Sequence, residues 1–250
     1  MQRRIMLNQD NYYSQAANEQ YFSVSQYKDF KKCEAMAMAK IYGIYKPEIT
    51  KSMLIGSFVD AYFEGTLEQF MKENPAVFTR KNELRSEFRK ANEIIARIKS
   101  DELFMKFMSG EKQQIMTFEL FGVPWKIKMD SYIPGTCITD LKIVANFRNL
   151  PFWRYDLQGA VYHKGTEIVT GEQLPFYLAA ATKERMIDLD IFQIPQSTLD
   201  MALNEIRADI GRYAEVKAGF IEPKYCGVCD YCKSRKGAKI RNYNELLEGF

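Results

Sequence analysis

From Val123 to Ser131 the side chains alternate in character, with Trp125, Ile127 and Met129 set against Lys126, Lys128 and Asp130. A period of two marks a strand with one buried face, so Asp130 belongs to the polar face, near the strand's end. Pro134-Gly135 then turns the chain. Beyond it, T-C-I-T-D-L-K sets Asp140 and Lys142 two residues apart. Residues so spaced on a strand emerge on one face while the residue between them, Leu141, points away. A hairpin closing at Pro134-Gly135 therefore brings two carboxylates together beside one ammonium. Hard oxygen ligands next to a cation suit a magnesium-type ion and a phosphate group.

The rest of the chain can support such a site. Of its 250 residues, 46% are hydrophobic and 14% aromatic, ample for a core. No Pro/Gly/Ser-rich linker divides it, so residues 22–250 are expected to form a single domain. Residues 1–21 are polar and read as an arm, either mobile or docked on a neighbour. Lys+Arg 35 against Asp+Glu 32 leaves a net charge of +3, so nucleic-acid contact has to come from a local groove. No apolar run reaches the roughly 18 residues that a bilayer requires, and the N-terminus lacks an apolar signal core. The expectation is a cytoplasmic protein without membrane contact. Five cysteines, three of them bunched as Cys226, Cys229 and Cys232, fit a metal site in a reducing compartment better than a disulfide framework.

Taken in order, Ser23 or Ser25 caps a helix carrying Tyr27, Phe30 and Met36, with Cys33 inside it. A second helix from Ser52 puts Gly56, Asp60 and Glu64 on one face. Arg80 to Phe107 is a charged, helix-favouring tract with one solvated face. Gln114 to Phe121 reads as a strand, with Glu119 near its end and a turn at Gly122. Pro151 to His163 reads as a helix on which Gln158 and Tyr162, four apart, are stacked. Gln173–Glu184 and Asp190–Pro195 are further strands, and Ser197 caps a long helix ending at Gly219. Cys137 is core. His163 is the only histidine and reads as a helix-end side chain, which excludes histidine-rich metal centres and argues against a Ser-His-Asp triad. No phosphate-binding G-x-x-x-x-G-K-[ST] loop is present. C-x-x-C-x-x-C supplies three thiolates, too few for a closed tetrahedral site, so a fourth ligand must come from elsewhere.

G-x-x-x-D at Gly56–Asp60, then Glu119, Asp130, Asp140-x-Lys142 and Gln158-x-x-x-Tyr162 follow one another in an order that resembles the PD-(D/E)xK nuclease superfamily. Within it the chain is most similar to the RecB-type branch, and there to exodeoxyribonuclease-eight-like proteins of phages and prophages. Two positions depart from the pattern: Met129 precedes Asp130, and Asp60 stands where that branch carries a histidine. The resemblance implies an α/β or α+β domain, a central mixed sheet flanked by helices, and N- and C-terminal segments meeting at one side. It implies Mg2+- or Mn2+-dependent hydrolysis of DNA, exonucleolytic rather than endonucleolytic. Asp130, Asp140, Glu119, Asp60 and the backbone carbonyl of Leu141 would hold the metal, and Lys142 would orient water and offset charge. Gln158, Tyr162, Arg148 and Arg154 would line the DNA path or support the site. Cys33 with Cys226, Cys229 and Cys232 resembles the iron–sulfur staple of the four-cysteine relatives, with zinc and free thiols as the alternatives. The implied partners are a single-strand annealing protein and further copies of the chain in a ring-shaped homo-oligomer. Two other classes stay open: a non-catalytic nucleic-acid-binding module, and an interaction protein organised by its cysteines.

Overall fold

The computed structural model describes residues 4–238, 240 and 242–246. The alternating stretch forms β2 (Val123–Met129), paired antiparallel with β1 (Gln114–Leu120) around Phe121-Gly122, both at positive φ. Through Asp130 the chain passes into β3 (Ser131–Ile133), and the Pro134-Gly135 turn closes it on β4 (Cys137–Val144), Ile133 facing Cys137. β4 pairs in parallel with β5 (Phe176–Thr182), which pairs antiparallel with β6 (Leu189–Gln193). The sheet order is β3-β4-β5-β6.

Around these strands pack α1 (Gln15–Gln20), α2 (Val24–Lys32), α3 (Glu34–Ile41), α4 (Lys51–Glu64), α5 (Leu67–Glu73), α6 (Ser86–Lys99), α7 (Glu102–Phe107), α8 (Tyr155–Thr170), α9 (Gln196–Lys217) and α10 (Asp230–Ser234). A parallel strand pair needs a long crossover, and α8 supplies it between β4 and β5. Ile138, Phe176 and Leu178 face Trp125, Leu157, Ile206 and their neighbours. Leu141, Ala179 and Ala181 face the other way, onto Phe58 of α4 and Ile94 of α6. Asp140 and Lys142 share the parity of Ile138 and so look toward α8, while Leu141 looks toward α4.

Several local expectations are corrected. Cys33 does not continue a helix: at φ −168° and ψ 111° it separates α2 from α3, and its thiol is turned onto Cys232. The Arg80–Phe107 tract becomes helical only at Ser86 and is interrupted again at Ser100-Asp101, where Asp101 caps α7 by accepting from the Phe104 N–H. The Pro151–His163 helix is instead a 3-10 stretch, Phe147–Trp153, followed by Arg154 at φ 51° and then α8. Pro151 lacks an N–H and lies within the 3-10 stretch, and Arg154 in the left-handed region ends that stretch, so α8 starts only at Tyr155. His163 is not at a helix end; it is buried within α8, with Nδ1 2.7 Å from the Leu174 carbonyl oxygen.

The described part of the 1–21 arm, from residue 4 onward, packs on the rest of the chain; residues 1–3 lie outside the described residues. Tyr12 and Tyr21 are buried. Lys126, on the face of β2 that alternation marks as polar, is only 2% exposed. Its ammonium donates to the Tyr12 carbonyl and to Asn18 Oδ1. An ammonium removed from water needs such acceptors, and the arm provides them. Among the described residues no helix is long and apolar enough to cross a membrane.

α8 approaches β1 closely because Gly165 has no side chain. A Cβ there would lie 2.2 Å from the Phe118 ring. Gly165→Ala should therefore overpack the interface and cost about 1–3 kcal/mol, read as a lower denaturation midpoint. Phe118→Leu should restore part of the loss in the double variant. An unchanged midpoint in Gly165→Ala would show that the contact relaxes freely.

Candidate active site

The hairpin puts Asp130 and Asp140 side by side. Asp140 is 3% exposed, and Gln158 of α8 donates to its Oδ1 at 2.6 Å. Its Oδ2 is in ion-pair contact with Lys142 but accepts no directed hydrogen bond. Asp130 Oδ2 accepts the Leu141 N–H at 2.9 Å, which fixes the aspartate against β4. From the opposite side α4 presents Asp60 and, one turn later, Glu64; these two join Asp130, Leu141, Gln113 and Met108 around a small cleft. Tyr162 donates to the Lys128 carbonyl at 3.0 Å, so α8 holds both strands that carry the aspartates.

Electrostatics follow from this crowding. Burial, then the charges of Asp130 and Asp140, raise the Asp60 carboxyl well above its ordinary range. Asp130 is raised to about 7, by burial first and by Asp140 second, against the lowering pull of Lys142 and the Leu141 N–H. Burial opposes the charge on Lys142, yet Asp140 and Asp130 outweigh it and keep the ammonium firmly protonated. The oxygen donors of Asp60, Asp130 and Glu64 around one small cleft, two of them with raised proton affinity, fit a hard divalent cation.

Beyond Lys142 a larger cavity opens, bounded by Lys28, Lys128, Tyr13, Tyr155 and Tyr162. The Lys28 and Lys142 ammoniums lie 5.3 and 5.1 Å from the centre of the Tyr155 ring. Burial, with repulsion from Lys142, lowers Lys28 to about 8. The chain's small net charge thus conceals a local basic wall beside the carboxylates.

Residues 23–235 match the family described as a PDDEXK-like domain of unknown function, DUF3799. The chain belongs to that family. Its structure is similar to the crystal structure of a "putative exonuclease" from Eubacterium rectale, at 45% identity over 98% of this chain and 100% of that one, with a TM-score of 0.95. The structure of SSO0001 covers 85% of this chain and 96% of its own at 16% identity, but its TM-score of 0.33 carries no argument. No protein of curated function matches. The mixed sheet with flanking helices is the architecture that the sequence implied.

Within this PDDEXK-like domain the predicted residues separate. Asp130, Asp140, Lys142, Gln158 and Tyr162 converge, and Asp60 joins them from α4. Glu119 does not. The register sets it opposite Pro124, at the end of β1 away from Asp130, where it is 58% exposed and ion-paired with Arg4. Gln113 is the residue beside Asp130, its Nε2 3.5 Å from Oδ1. The further acid near the aspartates is Glu64, for which the shared helix face with Asp60 was the available signal. Arg154 is held by Asp156 and Glu205, which satisfy its guanidinium. Arg148 is exposed on the 3-10 stretch. Lys128, two residues before Asp130 on the same strand face, was readable as a wall of the site; Lys28 and Tyr13 come from remote segments and carried no such signal.

Asp130 supplies a pH test on protein kept in EDTA. Its carboxyl goes from 3.8 ordinarily to about 7 in the fold, so between those values the folded state binds more protons than the unfolded state. Stability should then fall as pH rises through that window. Asp130→Asn should flatten the fall and melt higher than the parent at pH 8, but not at pH 4. Parallel melting profiles at every pH would mean that Asp130 is solvated and uncoupled from Asp140.

Proposed function

We propose that this protein is a Mg2+- or Mn2+-dependent deoxyribonuclease that hydrolyses DNA phosphodiester bonds from an end. The observation that carries the reading is the meeting of Asp130, Asp140 and Lys142 on one hairpin, with Gln158 fixing the Asp140 carboxylate. Membership of the PDDEXK-like family and the likeness to the Eubacterium rectale protein support nuclease chemistry in general. The resemblance to exodeoxyribonuclease-eight-like proteins supports the finer reading, a role in phage-type recombination beside a single-strand annealing protein, with a ring-shaped oligomer.

In this reading Asp130, Asp140, Asp60, Glu64 and the Leu141 carbonyl would hold the metal, which when bound supplies Lewis acidity and an activated water. Lys142 would meet the scissile phosphate, and its charge would offset the negative charge that grows on the phosphoryl oxygens as water adds and the ester oxygen leaves. Gln158 occupies one Asp140 oxygen, and Lys142 lies against the other. Lys28 and Lys128 attract the phosphate backbone along the cavity wall, and Tyr13 and Tyr155 offer ring faces to unstacked bases.

The test uses linear and circular DNA, labelled at either end, with and without Mg2+ or Mn2+. Linear DNA should shorten only with metal, and circular DNA should persist. Asp140→Ala and Lys142→Ala should each lower cleavage at least about a hundredfold while retaining the wild-type circular dichroism spectrum. Glu119→Gln should leave it within about twofold, as expected for an exposed ion pair outside the site. Near-normal cleavage by Asp140→Ala or Lys142→Ala would overturn the assignment. Duplex or single-strand binding with no cleavage under any metal would favour the binding-module reading instead.

Glu64→Gln should retain the fold and raise the metal concentration needed for half-maximal cleavage, because one anionic oxygen is lost from the cleft. An unchanged metal titration would place Glu64 outside the ion's shell.

A further inference from the structure

Cys33 and the C-x-x-C-x-x-C segment, 193 residues later in the chain, come together at one corner of the molecule. The Sγ atoms of Cys33, Cys226, Cys229 and Cys232 all lie within 4.8 Å of one another. Cys33 and Cys232 are 3.6 Å apart, Cys226 and Cys232 3.9 Å, and all are free thiols. We infer that these cysteines form a single tetrahedral zinc site, and not the iron–sulfur cluster that the sequence resemblance implied.

The spacing decides between them. Thiolates at about 2.3 Å from one zinc stand about 3.8 Å apart along each tetrahedral edge. The 3.6 and 3.9 Å separations match that edge, and no pair exceeds 4.8 Å. In an iron–sulfur cluster the thiolates ligate different irons, and bridging sulfides lie between those irons. Sulfurs on different irons are thereby held well beyond van der Waals contact, whereas here all four are mutually close. The local chain is also shaped for ligation. The Cys229 N–H donates to Cys226 Sγ at 3.3 Å, an interaction that steadies a thiolate's negative charge. Zinc with four thiolates carries a net charge of −2, and Lys224, Lys233, Arg235 and Lys236 are the basic residues of the same segment.

Neighbouring contacts indicate what the ion would secure. Glu34, directly after Cys33, accepts from Arg212 Nε at 2.7 Å and from the Lys224 N–H at 2.8 Å. The Ala35 N–H donates to the Lys224 carbonyl. The same corner begins α3 and ends α2, whose Lys28 lines the cavity beside Lys142. The zinc is therefore structural: it ties the C-terminal segment to the helix pair that walls the candidate active site, independently of whether that site cuts DNA.

The full chain, purified anaerobically without chelator, should be colourless, contain about one zinc per chain and no acid-labile sulfide, and release the zinc when its thiols are modified. Reduced, metal-stripped protein titrated with cobalt should develop thiolate-to-cobalt charge transfer and tetrahedral d–d absorption, saturating at one equivalent. Cys33→Ser and Cys229→Ser should weaken those bands and lower the melting temperature, while Cys137→Ser keeps both. Brown protein with several irons and labile sulfide per chain would overturn the inference. So would wild-type protein that gives no thiolate–cobalt band, whether or not the serine variants fold.

Discussion

Like charges held close together where water screens them poorly raise one another's energy, and this molecule is built to hold such charges in place. Asp60, Asp130 and Asp140 approach from three elements with one ammonium between them, so neither the hairpin nor α4 gains from the encounter by itself. The holding force lies in the flanking cores. Leu141 and Ala179 anchor one face of the β4–β5 pair against α4 and α6, and Ile138 and Phe176 anchor the other against α8. Apolar burial on both faces keeps the aspartates from separating. The strand pair acts as a rigid plate on which an otherwise unfavourable constellation is fixed.

Much of this was readable because strand periodicity is a local property. Alternation from Trp125 to Asp130, the Pro134-Gly135 turn and the two-residue spacing of Asp140 and Lys142 each follow from backbone geometry alone. Spacing of four on a helix located Gln158 with Tyr162, and Asp60 with Glu64. Register was not readable: Glu119 lies on the expected strand, yet pairing opposite Pro124 carries it to the wrong end. Partners distant in sequence were equally hidden. Arg154 looked like a free cation until Asp156 and Glu205 enclosed it, and Lys126 looked solvated until the arm covered it. Patterns within ten residues report which face a side chain takes, but not what lies across from it.

Cys33 illustrates the same limit from the other side. Its surroundings favour helix, and nothing within a turn of it explains an extended backbone. The cause lies at Cys226, Cys229 and Cys232, brought close only when the whole domain closes. A local propensity is here overruled by contacts between residues far apart in sequence, so the α2–α3 corner is complete only with the C-terminal segment in place.

The arm decides what surrounds the charge on β2. The family match starts at residue 23, past the Tyr12 carbonyl and the Asn18 amide oxygen that receive the Lys126 ammonium. A polypeptide cut to that matched stretch would return the Lys126 ammonium to water and strip Tyr12, Tyr13 and Asn18 from the cavity wall. Residues outside the matched stretch thus set the solvation of a charge within it.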